Sequence, residues 1–181
     1  MLSKNPAGRR GGFTLIELMI ALAIIAIVLF LGLPNYRAWI QNTQIRNAAE
    51  SIQNGIQRAR AEAVRRNTSV AFILDPNTTD TAWSVVVVSG SEVLESRQAS
   101  EGSANVVRSV QPGGATTVTF GSLGTVMANV PASSSLTQVD VDSSVLDETE
   151  SRELRVTIGT GGQIRMCDPQ LDSAGTDPRK C

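Results

Sequence analysis

The sequence predicts an α+β protein in which a long N-terminal helix packs on an antiparallel β domain, arranged as one sheet or as two small ones. Three observations carry that expectation. An oily run near the N-terminus passes into an amphipathic stripe with helical period. From Ser69 the period changes to short β-rich runs between turn residues, and two cysteines bracket a polar C-terminal segment.

The oily run comes first. From Leu18 to Tyr36 no side chain is charged. These 19 residues are long enough to cross a hydrocarbon core of about 30 Å as a helix rising about 1.5 Å per residue. One acid, Glu17, stands at the start. A carboxylate in hydrocarbon costs roughly 2.5 to 3.5 kcal/mol even on lenient insertion scales, so Glu17 is a functional residue in search of a partner. The local alternative is that it complements the positive end of the helix dipole. A cleaved secretory signal would have a shorter apolar region, roughly 7 to 15 residues, closed by a small-x-small site, whereas here Leu31-Gly32-Leu33-Pro34 follows a longer run. A buried core helix conflicts with the flanking Arg9, Arg10 and Gly11-Gly12. Lys4, Arg9 and Arg10 precede the run, so the positive-inside tendency keeps the N-terminus in the cytoplasm and sends the body of the chain across the membrane.

Residues 13–36 are thus expected as the transmembrane half of the helix and 37–66 as its amphipathic half. Pro34, with Gly32, is expected to kink it, because proline deletes a backbone donor and crowds the preceding turn. Ile45, Ala49, Ile52, Ile56, Ala59 and Ala63 alternate by four and three residues and form one apolar stripe. Gln44, Arg46, Gln53, Gln57, Arg58, Arg60 and Arg65 lie off it, and the helix is expected to end near Arg66-Asn67.

Beyond it, 67–181 is expected as a β-rich domain. "SVAFIL", "WSVVVVS", "TTVTF", "TQVDVD" and "LRVTI" read as strands. Asp75-Pro76-Asn77 reads as a turn, and Gly159 to Gly162 as the turn of a hairpin joining "LRVTI" to "QIRMC". Residues 100–105, 111–115 and 143–151 read as loops.

Composition excludes several functions. The formal charge is −1, but Lys4, Arg9 and Arg10 lie ahead of the run, leaving 13 basic against 17 acidic residues in the remainder. A mildly acidic body does not attract nucleic acid or anionic membrane in bulk. There is no histidine, and two cysteines are too few for a zinc site, so neither a metal nor another cofactor is expected. A serine nucleophile would need a lysine base, and the one lysine after the oily run is Lys180, out on the tail. Asp140 and Asp142 alternate with valines and read as solvated residues on the outer face of a strand. The chain is not expected to be an enzyme.

Gly12-Phe13-Thr14-Leu15-Ile16-Glu17, after a short basic leader and before a long apolar helix, resembles the type III signal of type IV pilins and type II secretion pseudopilins. That resemblance implies a pilin-like fold and a leader, 1–12, cut by a prepilin peptidase between Gly12 and Phe13, with Phe13 then N-methylated. It also implies that Glu17 serves assembly by neutralising the Phe13 amine of a neighbouring subunit. Glu17 is also one turn from the amine of its own chain, so an internal pair stands beside the intersubunit one. "IQRARAEAVRRNTSVAF", "TVTFGSLGTV" and "GGQIRMCDP" resemble the GspH/FimT branch, which includes the FimU/FimT-type minor pilins. Membership would make the chain a filament subunit that primes or caps a pilus and supports twitching motility, adhesion or DNA uptake, or else a GspH-type pseudopilin of type II secretion. Its implied partners are other major and minor pilins through the N-terminal helix, the peptidase, and an inner-membrane assembly platform. Its implied location is the inner membrane, with the domain in the periplasm, and then the filament or its tip.

Cys167 and Cys181 enclose 13 polar residues. In an oxidising compartment a disulfide closing the loop 167–181 is the natural reading, with free thiols as the alternative. A ring of this size stabilises by about 3 kcal/mol in the loop-entropy model. The resemblance agrees, since many type IV pilins close a C-terminal loop this way and many pseudopilins of this branch do not. Arg165, Arg179 and Lys180, near that loop, are candidate nucleic-acid contacts for a DNA receptor in natural transformation. Members implicated in DNA uptake carry Gly-Arg-x-Arg near this point; here the stretch is Gly162-Gln163-Ile164-Arg165, and the first arginine is missing.

Overall fold

The computed structural model describes residues 12–171 and 176–181; within the helix, the side chains of residues 31–35 are outside that description. The leader cations Lys4, Arg9 and Arg10 and the expected kink at Pro34 therefore lie outside the described residues. Among the described residues one helix, α1 (Leu15–Arg66), is followed by nine strands: β1 (Val70–Leu74), β2 (Trp83–Val87), β3 (Glu92–Arg97), β4 (Val106–Gln111), β5 (Thr117–Phe120), β6 (Val126–Met127), β7 (Gln138–Ser143), β8 (Leu154–Ile158) and β9 (Ile164–Cys167). The chain divides into two compact units, Met1–Arg37 and Ala38–Cys181.

In the first unit, the large apolar side chains from Leu15 to Phe30 are exposed on every face of the helix, Ile25 at 53% and Phe30 at 80%. A helix that is apolar all round has no stable state in water alone and requires lipid or other helices as its surroundings.

The second unit holds the core. All six stripe residues, Ile45 through Ala63, are fully buried, and they join Phe72, Val85, Val118, Phe120, Val139 and Val156 in one apolar cluster. The helix stops where the sequence places its end. Asn67 adopts φ 51°, the Asn67 N–H reaches the Val64 carbonyl at 3.3 Å, and the Thr68 N–H reaches Ala63 at 3.2 Å, which together make a Schellman cap.

The strands form two antiparallel sheets, one in the order β3-β2-β1-β5-β6 and the other β4-β7-β8-β9. Alternating burial along β2 and β7 turns Trp83, Val85 and Val87, then Val139 and Val141, to the core. The Gly159–Gly162 turn closes the β8–β9 hairpin, with Gly162 at φ 81°. The Asp75 carboxylate accepts the Asn77 N–H at 3.0 Å, making the expected turn.

Three strands, β3, β4 and β6, were not expected. β3 is exposed and charged, β6 has two residues, and β4 carries Arg108 and Ser109 within it. Gln111 belongs to β4 and Ser143 to β7, so the expected loops 111–115 and 143–151 each begin one residue late. The reading of Asp140 as a solvated residue is corrected. Arg155 stands directly across in the β7–β8 register, and its Nε donates to Asp140 Oδ1 at 2.6 Å. Asp142 is likewise engaged, accepting the Ser151 hydroxyl.

Candidate functional site

The site begins at the N-terminal end of α1. Gly12, Phe13 and Thr14 precede the helix; Gly12 has open space where a side chain would lie, and Phe13 is 85% exposed. The Thr14 carbonyl accepts the Leu18 N–H at 3.2 Å, and its Oγ1 accepts the Glu17 N–H at 3.3 Å. Thr14 is therefore the N-cap, and Glu17 is the third helical residue. Thr14-Leu15-Ile16-Glu17 matches the S/T-x-x-E capping signature, a signal present in the sequence that the reading of Glu17 passed over. Glu17 is exposed in the first turn, where the dipole favours its charge and a cation from outside the chain can reach it. Among the described residues no helix is long and apolar enough to cross a membrane. The uncharged run read from the sequence includes Leu31–Asn35, whose side chains lie outside that description.

The arginines at the other end of α1 are engaged. Glu62 is 3% exposed and holds three of them: Arg65 at 2.5 Å, Arg66 at 3.0 Å and Arg58 at 3.2 Å. Hydrogen bonds from Arg65 and Arg66 bring its carboxyl down from the ordinary 4.5 to about 2. Arg66 extends to Glu92 at 2.9 Å and Arg58 toward Glu95 at 3.8 Å, which explains the charges on β3: they tie an edge strand to the helix end. Arg60 Nε donates to the Gly124 carbonyl at 3.0 Å. A Cβ on Gly162 would lie 2.0 Å from that same oxygen, so the Gly121–Gly124 and Gly159–Gly162 turns meet beneath Arg60 through glycine alone. The stretches "TVTFGSLGTV" and "GGQIRMCDP", some forty residues apart, are thus one junction.

At the C-terminus, Cys167 and Cys181 are joined in a disulfide. The Asp168 N–H donates to the Arg179 carbonyl at 2.7 Å, and Arg165 Nη2 donates to the carbonyls of Lys180 at 2.7 Å and Pro178 at 3.3 Å. Arg179 pairs with Asp177 at 2.7 Å, and that pairing lowers the Asp177 carboxyl to about 2.

A family model described as type II transport protein GspH matches residues 48–170, well over half of the chain. The chain belongs to the GspH family. A second model, the prokaryotic N-terminal methylation motif, matches residues 8–33 of this GspH-family chain. No curated protein sequence is significantly similar to it. Among solved structures, it is similar to the type IV minor pilin FimU of Pseudomonas aeruginosa at 20% identity, covering 67% of this chain and 87% of that one, with a TM-score of 0.47. It is also similar to the minor pseudopilin EpsH from the type 2 secretion system of Vibrio cholerae at 14% identity, covering 71% and 99%, with a TM-score of 0.48.

GspH-family proteins are pilin-like structural subunits, not enzymes, and membership implies assembly with other pilins or pseudopilins. Of the candidate nucleic-acid contacts in this member, Arg165 clamps the tail and Arg179 is paired with Asp177, while Lys180 lies in a backbone bridge with Asp168.

Proposed function

We propose that this GspH-family chain is a minor pilin of the FimU/FimT type that primes or caps a type IV pilus and supports twitching motility, adhesion or uptake. The supporting observation is the methylation motif over residues 8–33, together with the exposure, on every face of α1, of the apolar side chains from Leu15 to Phe30. In this reading the prepilin peptidase cuts between Gly12 and Phe13 and methylates the Phe13 amine. Residues 13–36 anchor the subunit in the inner membrane with its domain in the periplasm, and an assembly platform moves it into the filament. Glu17, capped by Thr14 and presented in the first turn, neutralises the Phe13 amine of a neighbouring subunit and helps set axial register.

Glu17→Ala and Glu17→Val should leave cleavage largely intact and reduce incorporation severalfold, measured by immunoblot of sheared filaments beside whole-cell mass of the processed chain. Normal incorporation of both variants would sink the assembly role.

The description of the matched family as a type II transport protein favours a second reading, a secretion pseudopilin. Deleting the gene separates the two: loss of surface pili supports the minor pilin, and loss of exoprotein release with pili intact supports the pseudopilin. The DNA-receptor reading rests on Arg165, Arg179 and Lys180. It requires a salt-sensitive gel shift that Arg165→Ala abolishes without loosening the tail.

A further inference from the structure

A concave groove of about 580 Å³ opens where the second unit begins, walled by Trp39, Asn42 and Arg46 from α1, by Arg152 and Met166 from the β8–β9 side, and by Arg179 from the disulfide loop. Asn42 braces it: its amide donates to the Glu150 carbonyl at 2.9 Å, and its Oδ1 accepts the Arg152 N–H at 2.8 Å. The groove is therefore held open by the fold itself.

Its lining carries three guanidinium groups over an apolar floor, two of them already paired. Arg46 holds Glu50 at 2.9 Å, and Arg179 holds Asp177. Arg152 is exposed, and its guanidinium has no hydrogen-bond or ion-pair partner among the described residues. Among the described residues Asp168 is the one acid in the lining, and its Oδ1 already accepts the Gln170 N–H. An anion is the species such a groove takes, and guanidinium groups bind phosphate oxygens in bidentate fashion.

Position along the chain narrows the source. Trp39 comes three residues after Tyr36, the last of the uncharged run, about 5 Å along a helix. The headgroup layer on each side of a bilayer is about 5 to 7 Å thick. Trp39 is 63% exposed, and tryptophan is enriched at that depth because its ring is apolar and its N–H polar. Asn42, whose Oδ1 holds the Arg152 N–H, comes six residues after Tyr36, about 9 Å along a helix, so the long Arg152 side chain is within reach of the depth at which lipid phosphates lie, while Arg46, about 15 Å past Tyr36, adds a second cation at the far wall of the groove.

We propose that this groove holds the phosphate headgroup of an anionic membrane lipid while the subunit is still in the bilayer, steadying the domain until the chain is drawn into a filament. The inference rests on the membrane anchoring proposed above.

The test uses the full chain purified from membranes in detergent. Native mass spectrometry reads lipid retained after addition of phosphatidylglycerol or phosphatidylcholine, for the wild type, Arg152→Gln and Arg46→Gln/Arg152→Gln. The wild type is expected to retain phosphatidylglycerol in preference to phosphatidylcholine, with retention falling about fivefold for the single variant and further for the double. Unchanged melting temperatures are expected, because both side chains are exposed. Equal retention by all three proteins overturns the proposal. Displacement of the lipid by millimolar inorganic phosphate overturns the lipid assignment in favour of a free anion. Loss of a co-purifying pilin in the variants, with lipid retention unchanged, overturns it in favour of an acidic protein segment. Flotation with vesicles separates the two claims: a chain that floats but shows no lipid preference refutes the groove alone, and one that does not float refutes the anchoring as well.

Discussion

Glu62 is a nearly buried acid surrounded by guanidinium groups, and its ionisation is linked to folding. Its folded pKa, about 2, lies below the ordinary 4.5, so the stability it contributes is fully present above that ordinary value. It is lost as pH falls through about 2. Asp177, brought to about 2 from 3.8 by Arg179, works in the same direction, whereas Glu153, pushed up by burial, opposes both. Urea titrations between pH 5 and pH 2 should show stability declining. Glu62→Gln should be destabilised at pH 7 and show a shallower decline; a parallel decline in wild type and variant would remove Glu62 as a source. Gly55 makes the second argument at this scale. A Cβ there would lie 2.8 Å from Phe72 Cε2 and 3.0 Å from the Trp83 ring, and Trp83 is anchored by its indole N–H to Ser51 Oγ at 2.9 Å. Alanine gains about 1 kcal/mol of helix propensity but overpacks two rigid rings at about 1 to 3 kcal/mol. Gly55→Ala should lower stability by about 1 kcal/mol in denaturant unfolding; a more stable variant would mean that the rings yield freely.

Among the elements, the C-terminal loop depends on covalent closure. Among the described residues, hydrogen bonds to the carbonyls of Asp177, Pro178, Arg179 and Lys180 and the Arg179–Asp177 salt bridge supplement the disulfide. Cys167→Ser/Cys181→Ser should cost about 2 to 3 kcal/mol, or several degrees in melting temperature, with the sheets retained by circular dichroism. A variant as stable as the wild type would mean that Arg165 and Asp168 hold the tail unaided. The helix shows what pattern alone can disclose. Its stripe, end and polar face follow from the 3.6-residue period, because burial on one side leaves a period in the sequence. β3, β4 and β6 leave a fainter one: each sends only one or two side chains (Leu94, Val106 and Val110, Val126) to the core, and the backbone pairing with β2, β7 and β5 that completes them carries no side-chain signature.

The whole molecule separates a unit that has its own core from one in which no described residue belongs to a core. Every residue of the apolar cluster, with the side chains packed against it, lies between Ile45 on α1 and Met166 on β9, within the second unit. Residues 38–181 expressed alone should therefore fold, giving a mixed α/β circular dichroism spectrum and a cooperative melt. A gradual, non-cooperative melt would show that the first unit supplies stability. The candidate assembly site was legible because Gly12, Phe13, Glu17 and the uncharged run are contiguous, and their chemistry requires no tertiary contact. The GspH/FimT resemblance likewise lay in continuous stretches. The partners of Glu62, the ion pair of Asp140, the meeting of the Gly124 and Gly162 turns under Arg60, and the groove beside Asn42 join residues far apart in the chain. The helix, its stripe, most strands and the N-terminal motif are written in the amino-acid order, since each is local or periodic. Which charges are paired emerges only in the folded chain, because ion pairing depends on distance through space and not on separation along the chain.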